Sequence, residues 1–463
     1  MTYKSHLFLK PATLLMLFAF IFSACSSADE PEIAETIIEG QITVDPEIDS
    51  TMDYSGIELM IAFYDAQGEI RDTLFHSVTD STGTHFGRFQ AESRGVYPMI
   101  ISRGGNRFGL ANLVIAPGDT IRLNAQLPEF NETVAIQSVE HDAYERFERL
   151  DRNFNRVLAY ISTQGMSTDS VEIEVLKWSD LFWDFYNQSE QTLAGERSAV
   201  ASISLLRDWD NDLMLARTDT LLEQKNRLPA DLRTELTQYH AETSGLDRAI
   251  AFLDQLDGRL TNQEEQMPIK REKIELLFDS ARTGNAEQLL EQFRQSYADD
   301  ESAMRWADNM QYDLATLVPG SRLPEFSFLN TEGEEISSET LSDSPFMIEF
   351  TRFDDRLYQQ QYEQVVAIHQ IYRNYGLKII TVPLATSDVA LEAFFDERAK
   401  LWSVVEPGSF DADEIIETYN INRIPTRFLV NDRGSIIKRY VGTEFDTIIQ
   451  GLQLILTQED IES

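Results

Sequence analysis

The sequence predicts a multidomain protein: an N-terminal all-β domain, a central α-helical spacer and a C-terminal α/β domain. Three observations lead there. Short runs of β-branched and aromatic residues, separated by Gly- and Asp-rich turns, fill residues 37–128. Apolar residues recur at helix spacing through 138–316. Strand-like runs then alternate with helical patterns over 317–457, which argues for a mixed sheet covered on both faces. At 463 residues the chain has room for two or three domains.

Residues 1–24 read as an address rather than as structure. Lys4 and Lys10 give a basic start, and Ala12 to Phe22 is an apolar stretch too short to span a bilayer comfortably. Phe22-Ser23-Ala24-Cys25 resembles a bacterial lipoprotein signal, with Cys25 as the lipidated first residue of the mature chain. The plainer alternative is a secretory peptide with an incidental cysteine. Both export the protein. Ser26 after the cysteine, by the same resemblance, favours the outer membrane. Residues 25–36 form a short acidic tether.

In the β-rich part, Ile38 to Val44, Ile57 to Tyr64, Ile70 to Val78 and Tyr97 to Ser102 are the strand-like runs. Val114 to Leu123 holds two more around a Pro117-Gly118-Asp119 turn. In the helical part Tyr144, Phe147, Leu150, Phe154 and Leu158 share one face, and Pro229 and Gly245 punctuate the run. Nothing there rises above packing residues and solvated acidic faces.

The C-terminal part opens at Pro319-Gly320-Ser321-Arg322-Leu323-Pro324 and reads strand (346–351), helix (about 356–375), strand (Leu377 to Val382), helix (388–400), the segment 412–420, then two strands and a helix. Ile424-Pro425-Thr426 precedes the penultimate strand. This order resembles the TlpA/ResA-type thioredoxin-like family of envelope proteins. The β-rich stretch and helical spacer resemble those that precede such domains in some envelope lipoproteins.

The resemblance implies thiol–disulfide exchange by a Cys-x-x-Cys motif at the exit of strand 346–350. Here that exit reads Thr351-Arg352-Phe353-Asp354-Asp355-Arg356-Leu357-Tyr358. The only cysteine in the chain is Cys25, and exchange requires a thiolate attacking a disulfide sulfur. The former cysteine positions fall near Asp355 and Tyr358. A carboxylate there suits the N-cap of the helix that follows, with Asp354 or Asp355 as the capping residue. Glu349 matches the strand position of the family's buried acid, left either as a buried hydrogen-bond anchor or as a partly exposed strand residue. Pro425 matches the family's cis-proline, whose loop offers backbone hydrogen bonds to an extended substrate chain. Phe353, Ile424, Pro425 and Thr426 are therefore candidates for peptide binding, with Arg352, Tyr358 and Arg423 lining the same face.

The charge balance excludes other classes. Seventy-eight acidic residues against 39 basic ones, only nine of them Lys, give a net charge of −39. Such a surface repels nucleic acid and anionic lipid. Asp208 to Asp212 alternates acids like a calcium loop, but Leu213 stands where the Gly belongs. The six histidines form no pair at metal-ligand spacing, and no Walker, G-x-S-x-G or H-E-x-x-H motif is present. No cofactor or metal is expected. The first reading is a lipid-anchored envelope protein whose redox-inactive thioredoxin-like domain binds an envelope protein or extended peptide segment, which leans away from catalysis. The competing readings are a family thiol-disulfide oxidoreductase in envelope redox homeostasis or cytochrome maturation, and a binding role for the β domain.

Overall fold

The computed structural model describes residues 34–462, apart from 49, 65–69, 92, 386–387 and 397. The leader, Cys25 and the tether as far as residue 33 lie outside the described residues. The chain divides into two compact units, Met1–Arg233 and Thr234–Ser463.

The first unit begins with β1 (Glu35–Val44), β2 (Ile57–Tyr64), β3 (Ile70–Val78), β4 (Thr84–Gln90), β5 (Gly95–Arg103), β6 (Asn106–Ile115) and β7 (Thr120–Leu127). A short helix α1 (Phe130–Thr133) and strand β8 (Ala135–Gln137) follow. They form two four-stranded sheets, ordered β4-β1-β7-β8 and β3-β2-β5-β6. Along β7, buried and exposed residues alternate, as expected of a sheet with one face in a core. Ile38, Ile42, Ile121 and Leu123 from one sheet share that core with Leu59, Met99, Ile101 and Leu113 from the other, so the two make a sandwich. β1 runs parallel to β7 through eight residue pairs, Ile37↔Thr120 to Val44↔Leu127. Gly40 permits this approach: its φ is +155°, and a Cβ there would lie 1.8 Å from the Leu123 carbonyl oxygen.

Helices α2 (Val139–Gln164), α3 (Thr168–Ser189), α4 (Leu193–Leu205) and α5 (Asn211–Lys225) complete this unit around an aromatic core of Phe147, Phe154, Trp178 and Phe182. Helix α6 (Ala230–Ser244) spans the division. The helical run 138–316 is therefore shared between the units rather than forming one body.

The second unit continues with α7 (Leu246–Asp257), α8 (Gln263–Asp279), α9 (Thr283–Ser296) and α10 (Glu301–Thr316). A small hairpin, β9 (Ser327–Leu329) and β10 (Glu335–Ser337), precedes β11 (Phe346–Thr351), α11 (Arg356–Tyr372), β12 (Lys378–Pro383), α12 (Asp388–Phe395), β13 (Ser403–Val404), α13 (Ala412–Thr418), β14 (Thr426–Val430), β15 (Ile436–Val441) and α14 (Ile448–Glu462). The sheet order is β13-β12-β11-β14-β15. β11, β12 and β13 are parallel, β14 is antiparallel to β11, and β15 is antiparallel to β14. Apolar side chains of α11 and α14 cover one face, while residues of β9, β10 and α13 cover the other. Every residue of β11 and β14 is buried, which explains their near-continuous apolar sequences. Helix-covered parallel strands followed by an antiparallel hairpin give the thioredoxin arrangement. Among the described residues, no helix is long and apolar enough to cross a membrane.

Candidate functional site

The loop leaving β11 turns into α11 through Arg352, Phe353, Asp354 and Asp355. Asp355 is the N-cap of α11: its carboxylate accepts from the Tyr358 amide at 2.8 Å. Asp354 instead points to solvent, paired bidentately with Arg352. That hydrogen-bonded guanidinium holds the Asp354 carboxyl below its ordinary value.

Tyr358, which the sequence reading puts at the second former cysteine position, is fully buried. Its hydroxyl donates to Glu349 Oε1 at 2.9 Å. Burial, and then the Glu349 charge, push the phenol well above its ordinary pKa, so it remains a donor. Glu349 is also fully buried, and Oε1 accepts a second bond from the Thr381 hydroxyl. Trp402 Nε1 donates to that hydroxyl at 2.9 Å. The other oxygen, Oε2, takes the Nε–H of Arg427 at 3.0 Å. Arg427 is wholly buried as well, donates to Gln361 at 2.8 Å, and lies 3.9 Å over the Phe445 ring. Gln361 in turn donates to the Gly442 carbonyl at 3.0 Å.

A carboxylate buried without partners would be costly. Here both its oxygens are occupied, as a buried charge requires. Of the two sequence alternatives for Glu349, the structure shows the buried anchor. Its partner Arg427 was not singled out from sequence. The signal was present: one lone charge within each of two otherwise uncharged runs, Phe346 to Phe350 and Thr426 to Val430.

Four candidate peptide-facing residues lie elsewhere than expected. Phe353 is buried, with ring centroids of Phe394 and Phe395 at 5.0 and 5.4 Å. Tyr358 and Tyr362 complete that cluster. The aromatic side chains fill the space beneath the loop instead of lining a docking rim. Pro425 and Thr426 are also buried, while Ile424 is half-buried and Arg352 and Arg423 are exposed. The Ile424–Pro425 peptide bond is cis. Neither Asp355, committed to its cap, nor Glu349, sealed in its network, presents a free nucleophile.

Beside the cis-proline loop lies a cavity of about 240 Å³, lined by Asn420, Asn422, Arg423 and Thr426 together with Asp313 and Trp306 of α10 and Glu275 and Asp279 of α8. Asp313 joins helix to sheet: it accepts from Arg439 through both oxygens and from Asn420 at 2.8 Å. Tyr312 donates to the Thr418 carbonyl at 2.9 Å. Crowding by neighbouring protein atoms and nearby acids pushes Glu275 up to about 7 and Asp279 up to about 6, although both side chains stay exposed to water. Among the described residues, no group of three or more His, Cys, Asp or Glu could hold a metal ion.

No family model matches the chain. Thiol-disulfide oxidoreductase ResA of Bacillus subtilis is 24% identical to it over 135 residues, 29% of this chain and 73% of the relative. ResA of Geobacillus kaustophilus is 21% identical over 154 residues, 33% of this chain and 80% of the relative. Among solved structures, a putative thiol:disulfide interchange protein DsbE from Chlorobium tepidum has a TM-score of 0.27 and 18% identity, covering 30% of this chain and 97% of its own. StoA from Bacillus subtilis has a TM-score of 0.23 and 24% identity, covering 26% and 89%. Over about 30% of its length the chain is homologous to thioredoxin-like thiol-disulfide oxidoreductases.

Proposed function

We propose that this chain is an envelope lipoprotein whose thioredoxin-like domain has lost thiol–disulfide chemistry and acts as a protein-binding or scaffolding module. The observation that carries the reading is Tyr358. This buried phenol, hydrogen-bonded to Glu349, falls, in our sequence alignment, where the homologous chemistry needs a thiol. The sole cysteine, Cys25, precedes every described residue. It is the proposed lipid attachment point, and it anchors the protein at the outer membrane. The partner is an envelope protein or an extended segment of one. Burial of Phe353, Tyr358, Pro425 and Thr426 moves its proposed contacts outward, to the exposed Arg352, to Arg423 in the cavity lining and to the half-buried Ile424.

Insulin-disulfide reduction tests the loss of chemistry. The full-length chain and its Cys25→Ser variant are expected to be silent. Turnover by either would overturn the reading in favour of the oxidoreductase activity of the relatives. Labelling by a radioactive fatty acid, present in the parent chain and absent from Cys25→Ser, tests the anchor.

A further inference from the structure

Helices α7, α8 and α9 enclose a second cavity, of about 270 Å³, unconnected with the site above. Its apolar lining includes Leu253, Ile269 and Phe293. Its charged lining is two carboxylates, Asp254 and Asp257, and two ammonium groups, Lys270 and Lys273. Asp254 and Lys273 pair with each other. That leaves one acid and one base facing the cavity.

Asp257 is the last residue of α7, where the helix's terminal carbonyls add negative potential. Its Oδ1 is buried and accepts no hydrogen bond. Burial raises its pKa, and the charge of Lys270 is the strongest opposing influence. Lys270 donates to Gln266 Oε1 at 3.2 Å and sits 5.6 Å over the Tyr297 ring, and no ion pair joins it to Asp257. A buried carboxylate oxygen without a donor is unusual in a native interior. Gln292 and Ser296 add polar atoms to the lining, so water can fill the cavity until a ligand displaces it.

The volume lies just under the range of drug-sized pockets, which points to a ligand of about ten heavy atoms. The charges decide its chemistry. Two acids against two lysines make the cavity neutral overall, so a simple cation would leave Lys270 unanswered and a simple anion would leave Asp257 so. We infer that this cavity binds a small zwitterion with an apolar side chain, the class to which hydrophobic α-amino acids belong. The ammonium meets Asp257, the carboxylate meets Lys270, and the side chain lies against Leu253, Ile269 and Phe293.

Calorimetric titration of the full-length chain with three probes tests this. L-Leucine has both charges, leucine amide lacks the carboxylate, and 4-methylpentanoate lacks the ammonium. Leucine is expected to bind at least about tenfold more tightly than either, because each analogue leaves one charged group unpaired. Asp257→Asn should weaken leucine and leucine amide while sparing 4-methylpentanoate, and Lys270→Gln should weaken leucine and 4-methylpentanoate while sparing the amide. Leucine amide binding as tightly as leucine would overturn the zwitterion, since a peptide N-terminus would then suffice. No heat with millimolar leucine would overturn the site altogether. The probe series on the unaltered chain decides the matter even where a variant fails to fold.

Discussion

Arg427 and Arg439 stand on neighbouring strands, β14 and β15, but on opposite faces of the same sheet. Arg427 is opposite Tyr440 and Arg439 opposite Phe428 in the ladder. Arg427 is sealed with Glu349 under aromatic rings, without contact to water. Arg439 forms a bidentate pair with Asp313 of α10 at the edge of a cavity, 5.5 Å from the Phe278 ring. The same pairing chemistry thus serves two ends. On the sealed face it neutralises an acid that water does not reach. On the cavity face it fastens a helix to the sheet beside the cis-proline loop.

If that contrast is right, the two pairs should respond very differently to being broken. Arg427→Met leaves Glu349 charged in an apolar interior, and should lower the urea unfolding free energy by about 3–5 kcal/mol. Adding Glu349→Leu should recover most of that loss, because no buried charge remains. A loss under about 1 kcal/mol would show that water reaches the pair and would erase the distinction between the faces. Asp313→Asn should cost less, about 1.5–3 kcal/mol, since Arg439 can turn to cavity water when its partner is weakened.

The smallest effect concerns pH. Glu275 and Asp279 have folded-state values of about 7 and about 6, above their ordinary 4.5 and 3.8. The folded protein therefore holds protons that the unfolded chain has released. Their contribution to stability is full below about pH 4 and is lost as pH rises through 6–7. Both side chains reach water through the cavity, which keeps the effect modest. Glu275→Gln should narrow the difference in melting temperature between pH 5 and pH 8 by about 1–3 °C. A widened difference would mean that the cavity face stabilises the ionised acid.

Much of the fold was legible because its strands bury both faces or alternate cleanly. Ile57–Tyr64, Ile70–Val78 and Phe346–Thr351 are strands where the β-branched and aromatic runs lie. β4 was not legible. Its run, Thr84 to Gln90, is broken by Gly87, which reads as a turn residue. In the structure a Cβ at that glycine would come within 2.4 Å of the Phe75 ring, so glycine is there for close packing. At the candidate site, the capping role of Asp355 followed from local chemistry alone. The partnership of Glu349 with Arg427 did not, because it depends on the register of two strands 78 residues apart in sequence. Phe353 and Tyr358 were read as rim residues for a similar reason. What buries them is Phe394 and Phe395, from a helix whose packing onto the loop has no local sequence signature.

The parallel pairing of β1 with β7 has a mechanical consequence. The chain comes into the sandwich on β1 at the end of the sheet where β7 begins, and β7 leaves at the far end, about 25 Å away. Tension between a point upstream of β1 and one downstream of β8 would first peel away the three-residue β8. It would then pull β1 and β7 past each other along their length. In that geometry the ladder bonds bear load together instead of opening one at a time, so the strand pair resists as a single unit. The β domain would then yield to force only after its whole central ladder gives way.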